Sequence, residues 1–138
     1  MRFTIQADGG ARGNPGPAGS GAVVRDETGE VVGEVSEFLG HATNNVAEYT
    51  ALIAAFELLC AQLEEKAAEA DIAVEMDSKL VIEQMKGAWK VKHPNMKPLQ
   101  RRAASLASGF HSVSFMHIPR EKNTYADRLA NRAMDRGT

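Results

Sequence analysis

The chain has 138 residues, of which 43% are hydrophobic and 25% charged, with a formal net charge of −2. Those values describe one globular domain, residues 1–138, long enough to bury about two-thirds of its unfolded surface, and exclude a disordered chain. A single cysteine, Cys60, allows no internal disulfide and fits a reducing cytoplasm, and the longest uncharged apolar run, Ala51 to Phe56, falls short of a membrane span.

Taken in order, Arg2 to Asp8 alternates polar and apolar with period 2, which predicts a strand with one buried face ending in Asp8. Gly9 to Pro17 is rich enough in Gly and Pro to predict a loop rather than a helix or central strand. Ser20 to Arg25 reads as a second strand, Asp26 to Gly29 as a turn, and Glu30 to Leu39 as a third strand, together an antiparallel meander. Thr43-Asn44-Asn45 is cap chemistry for a helix over 45–68 with Leu52, Ala55, Phe56, Leu59 and Leu63 on one face. Ile72 to Asp77 predicts a buried strand and Ser78 to Met85 a short helix capped at Asp77 or Ser78. Gly87 to Pro98 is irregular and basic, with Pro94 and Pro98 as breakers. A helix over 99–108, a strand over 111–118, a loop from Pro119 to Asn123 and a helix over 124–134 complete the chain. The order β-β-β-α-β-α-α-β-α implies an α/β fold with a mixed sheet.

The charge is unevenly spread. Residues 79–102 carry Lys79, Lys86, Lys90, Lys92, Lys97, Arg101 and Arg102 against Glu83 alone, and residues 57–71 reverse the balance. A local basic stripe binds phosphates even on a near-neutral molecule. Its plain alternative is a solvated face.

Four acids occupy notable positions. Asp8 and Asp77 end strands, and Glu48 and Asp127 lie in the first turns of helices. Two adjacent strand ends and two helix starts meet at one sheet edge, where α/β folds place ligands. Each acid alone has a plain account: Asp8 as a surface residue before a turn, Asp77 as a cap, and Glu48 and Asp127 through the helix dipole. Four together repel one another without cations, and oxygen-only donors select a hard divalent ion, Mg²⁺ first, with Mn²⁺ as substitute. A pair of such ions activates water and stabilises the leaving oxygen of a phosphodiester.

Asp8-Gly9 with Gly13-Asn14-Pro15-Gly16-Pro17, then Thr43-Asn44-Asn45-x-x-Glu48, Met76-Asp77-Ser78, and Asn123-x-x-Ala126-Asp127-x-Leu129-Ala130 resemble, in order, the motifs of type 1 ribonuclease H. The resemblance implies a five-stranded mixed sheet of order 3-2-1-4-5 and cleavage of the RNA strand of RNA–DNA hybrids. It also implies two metal ions on Asp8, Glu48, Asp77 and Asp127. Two departures stand out. Arg120 in the last loop resembles the substitute for a catalytic histidine in one branch, with His117 the other candidate. Lys86 to Gln100 is short for the helical basic protrusion of some members. Both point to an archaeal and actinobacterial branch, in which a similar domain precedes an acid-phosphatase-like domain; a C-terminal phosphatase-like domain in a full-length protein is the matching expectation.

On that resemblance Gly10, Arg12, Gly13, Asn14, Asn44, Asn45 and Asn123 are candidates for contacts with the hybrid, chiefly with 2′-hydroxyls of the RNA strand. Lys79 adds a contact nearby, Thr43 a phosphate pocket, and Trp89 among lysines either a stacking platform or a buried core residue. A monomer in the cytoplasm is expected. The competing readings are a non-catalytic hybrid-binding module and a junction resolvase or integrase core. A P-loop is excluded, because no Gly-Lys-Ser/Thr follows the glycines.

Overall fold

The computed structural model describes residues 1–138. Strands β1 (Arg2–Ala11), β2 (Gly16–Asp26) and β3 (Val31–Ala42) form the meander, followed by helix α1 (Asn44–Leu63) and a 3₁₀ turn over Glu64–Glu69. Strand β4 (Asp71–Met76), helices α2 (Lys79–Met85) and α3 (Lys97–Ala107), strand β5 (Ser112–His117), a short 3₁₀ turn (Arg120–Lys122) and helix α4 (Thr124–Arg136) follow. The sheet order is β3-β2-β1-β4-β5, with β1 antiparallel to β2 and parallel to β4. The expected fold class and strand order are both present.

The predicted Gly9–Pro17 loop is mostly strand. β1 continues through Ala11 and β2 begins at Gly16, leaving only residues 12–15 as the hairpin tip. The glycines serve a different purpose here from turning the chain. A Cβ on Gly9 would lie 2.3 Å from the Ala47 carbonyl carbon, and one on Gly21 would lie 2.3 Å from the Ala126 carbonyl oxygen. Backbone of α1 and of α4 therefore rests directly on opposite faces of the sheet, and those two helices carry Glu48 and Asp127. Gly9→Ala is expected to destabilise the protein by at least about 3 kcal/mol, at the upper end of overpacking costs. An unchanged melting transition would show that α1 is free to lift away.

Alternation in β1 sends Ile5 and Ala7 into a core shared with Ala22, Val24, Val74 and Met76. Helix α1 covers that face. By length and composition Asn44–Glu69 would suffice to cross a bilayer, yet here it is the core helix, with Tyr49, Leu52, Ala55, Phe56 and Leu59 fully buried. It gives way to the 3₁₀ turn at Glu64, whose φ is +53°. Phe56 meets Phe110 with ring centroids 5.7 Å apart, joining α1 to the segment before β5. Pro98, expected as a breaker, lies in the first turn of α3, where its missing N–H costs nothing. Residues 87–93 form no helix, so the basic segment lacks a helical protrusion, as its length predicted.

Candidate active site

Register places two of the acids. Ala7 pairs with Met76 across the parallel β1–β4 ladder, so Asp8 and Asp77 follow side by side where β4 ends; the expectation that Asp8 ends its strand is corrected, because β1 runs on to Ala11 through its pairing with β2. Ser78 caps α2 by accepting from the Val81 N–H at 3.3 Å, which turns the chain sharply just after Asp77. Asp127 is in the first turn of α4, as predicted, and Glu48 lies one residue further into α1 than predicted, just past its first turn, because the helix already begins at Asn44. Thr43 is the cap of α1, accepting from the Val46 N–H at 3.3 Å.

These four carboxylates line one cleft of about 430 Å³, together with Gly10, Arg12, Asn44, Asn45 and Arg120. Burial, then the charge of Asp77, a hydrogen bond and charge from Asp127 and the charge of Glu48 raise the Asp8 carboxyl to about 8. Burial and then Asp77 raise Glu48 to about 7, against a Ser78 hydrogen bond that lowers it. The cleft is thus short of positive charge. No three acidic, histidine or cysteine side chains close around a single point. The donor set fits an ion that keeps some water and takes its remaining ligands from substrate oxygens, which is how Mg²⁺ binds.

Arg120 reaches over the rim, its Nη2 3.9 Å from Asp127 Oδ1. Its side chain is 81% exposed. His117 closes β5 and turns its Nε2 to the Asp77 carbonyl oxygen, 3.2 Å away. Only Arg120 of the two lines the cleft.

Gly13 and Asn14 stand at the exposed hairpin tip, outside the cleft lining. Asn44 clasps that tip from both sides: its Oδ1 accepts from the Ala11 N–H at 2.7 Å, and its own N–H donates to Asn14 Oδ1 at 3.0 Å. Arg12 pairs with Asp135 of α4 at 2.5 Å.

Asn123 is a correction. Expected as a nucleic-acid contact, it is 1% exposed and lies beneath the cleft. Its Nδ2 donates to the Ala7 carbonyl and to Asp77 Oδ1, both at 2.9 Å, so no surface remains for a ligand. Trp89 resolves the other way. At 45% exposure it is no core residue, and Lys79 Nζ lies 5.9 Å from its ring centroid. It borders a hollow of about 580 Å³ with Leu80, Lys90, Lys92 and Met96. The basic stretch is partly answered by the acidic one, since Arg102 pairs with Glu57 at 3.0 Å.

The sequence reading missed Asn131 and Met134 of α4, which also line the cleft. A signal existed for Asn131: it follows Asp127 by four residues, one helical turn on the same face.

Comparison with known proteins follows the same outline. The family described as reverse transcriptase-like matches residues 6–133. The bifunctional protein Rv2228c of Mycobacterium tuberculosis is 52% identical over 98% of this chain, which spans 36% of that relative's length. The solved N-terminal RNase H domain of that protein superposes with a TM-score of 0.90, covering 98% of this chain and all of that one. LC11-RNase H1, solved in complex with an RNA/DNA hybrid, is 46% identical with a TM-score of 0.91 and 97% coverage of each chain. Agreement of this extent, at these identities and over both lengths, establishes that the chain belongs to the ribonuclease H family.

Proposed function

We propose that this chain is a metal-dependent endoribonuclease that hydrolyses the RNA strand of RNA–DNA hybrids, leaving 5′-phosphate and 3′-hydroxyl ends. The observation that carries the proposal is the cleft itself, where burial and mutual repulsion hold Asp8 and Glu48 far above ordinary carboxyl values. Such a site is completed by cations. A relative 46% identical was solved on an RNA/DNA hybrid, which supports the choice of substrate.

Two Mg²⁺ ions, or Mn²⁺ in their place, would be held by Asp8, Glu48, Asp77 and Asp127 and would supply activation of water and charge stabilisation at the leaving 3′-oxygen. The chain's own groups do the rest. Arg120, exposed at the rim beside Asp127, supplies the single catalytic cation of the last loop and steadies the scissile phosphate; His117 is the lesser candidate. Gly10, Arg12, Asn44 and Asn45 present backbone and amide groups suited to 2′-hydroxyls across a wide minor groove. Gly13 and Asn14 extend that wall at the hairpin tip. Thr43 accepts its capping bond through oxygen, which leaves its hydroxyl proton to donate to a phosphate of the DNA strand. Lys79 and Trp89 give that strand a cation and an exposed ring. A monomeric, cytoplasmic enzyme carrying a further phosphatase-like domain in its full-length form completes the proposal.

The test is cleavage of a labelled RNA–DNA hybrid beside duplex DNA and duplex RNA, each with Mg²⁺ and with EDTA. RNA cut only in the hybrid and only with metal is the expected result. Tight hybrid binding without cleavage under either ion would instead identify a binding module.

A further inference from the structure

Among the fully buried side chains Asn123 is unusual in being polar, in linking three elements, and in leaving one atom unpaired. Both amide protons are used: one on the Ala7 carbonyl, in the peptide that leads into Asp8, the other on Asp77 Oδ1. Its backbone carbonyl accepts from the Asp127 N–H at 3.1 Å, the first hydrogen bond of α4. One residue thereby touches β1 just ahead of Asp8, the residue after β4 and the start of α4.

We infer that Asn123 is a positioning residue that holds Asp8, Asp77 and Asp127 in a fixed mutual register for metal binding. The assignment rests on the metal-dependent reading given above. Its chemistry argues for it. A neutral amide fixes the rotation of the Asp77 carboxylate without adding negative charge to a cluster already repelling itself. A lysine or arginine at the same place would supply the positive charge that belongs to the ions. The Asn123 Oδ1, buried without a partner, is the mark of a group kept for its donors, since an apolar side chain of similar volume would avoid the penalty. Groups that orient ligands from behind set metal affinity by 10- to 100-fold in known sites, as an order of magnitude.

The experiment compares wild type, Asn123→Leu and Asn123→Ser by the rise of melting temperature along a MgCl₂ series, with no substrate present. Asn123→Leu should melt lower than wild type in EDTA, because the Ala7 carbonyl loses its Asn123 donor, and should in addition need about 10–100-fold more Mg²⁺ for the same rise. Asn123→Ser, which keeps one donor, should fall between. Half-maximal hybrid cleavage should move to higher Mg²⁺ in parallel, with hybrid affinity in EDTA unchanged. Ile72→Val, a core truncation at the far end of β4, should lower the melting temperature and leave the Mg²⁺ midpoint alone.

An unshifted midpoint in both Asn123 variants overturns the assignment, and so does loss of hybrid affinity in EDTA, which would make Asn123 a substrate contact. If neither variant folds, the residue is a determinant of the fold and the assignment is likewise overturned. A wild-type chain that shows the Mg²⁺-dependent rise but cuts no hybrid defeats the ribonuclease proposal and leaves this one standing; no rise in wild type defeats this one.

Discussion

Asp77→Asn is expected to lower hybrid hydrolysis by more than about 100-fold while leaving the fold intact, since on the proposed function Asp77 holds metal directly, and losing such a ligand exceeds the loss from residues that merely orient one. Asp77 lies one residue beyond the last β4 pair, with Asn123 donating to its Oδ1. An asparagine in its place keeps a carbonyl oxygen able to accept that same bond. What disappears is the charge. Asp77 is also the largest electrostatic contributor to the raised Asp8 and Glu48 carboxyls, so the variant should melt higher than wild type when metal is absent. Initial rates in saturating Mg²⁺ and melting curves in EDTA read the two effects separately. Cleavage at the wild-type rate would remove Asp77 from the site.

The second large effect concerns pH. Asp8 is raised from 3.8 to about 8 and Glu48 from 4.5 to about 7, so between those limits the folded chain binds more protons than the unfolded one. Stability of the metal-free protein must then fall as pH rises, the reverse of the common carboxylate case. The contribution is fully present below about pH 4 and is lost as pH passes about 7 and then about 8. Asp26 and Asp71 are held low by hydrogen bonds from Thr28 and from Ser112 and stabilise only above their ordinary range, so the effect is cleanest from pH 5 upward. In EDTA the melting temperature should drop by on the order of 10 °C between pH 5 and pH 8, given a few kcal/mol of linkage in a domain of this size. Mg²⁺ should restore most of that at pH 8 and little at pH 5, because cations compete with protons for the same oxygens. Asp8→Asn should flatten the dependence. A melting temperature that rises steadily from pH 5 to pH 8 in EDTA would contradict the account.

Much of this was legible before any coordinates. Period-2 and period-3.6 patterns located most strands and helices because those elements have an apolar face, and Asp77 and Asp127 announced themselves by following a strand and opening a helix. What stayed hidden depended on partners distant in sequence. Gly9 read as part of a turn, because a requirement for close helix approach and a requirement for positive φ select the same residue. Asn123 read as a nucleic-acid contact on the resemblance, and nothing local in the sequence shows the Ala7 carbonyl waiting below it. Trp89 was undecidable until it proved 45% exposed, beside Lys79 and above a hollow that nothing in the chain fills. Asn131 went unnoticed although its spacing from Asp127 offered it.

The Asn44 clasp has a consequence for binding. A hairpin tip of Arg12-Gly13-Asn14-Pro15 left to itself would sample many conformations, and each encounter with a nucleic acid would have to arrest it anew. Here hydrogen bonds to Ala11 and Asn14 settle the tip when the chain folds, long before any substrate arrives. A tip fixed in this way has little conformational freedom left to lose when a ligand arrives, and it presents the same surface at every encounter.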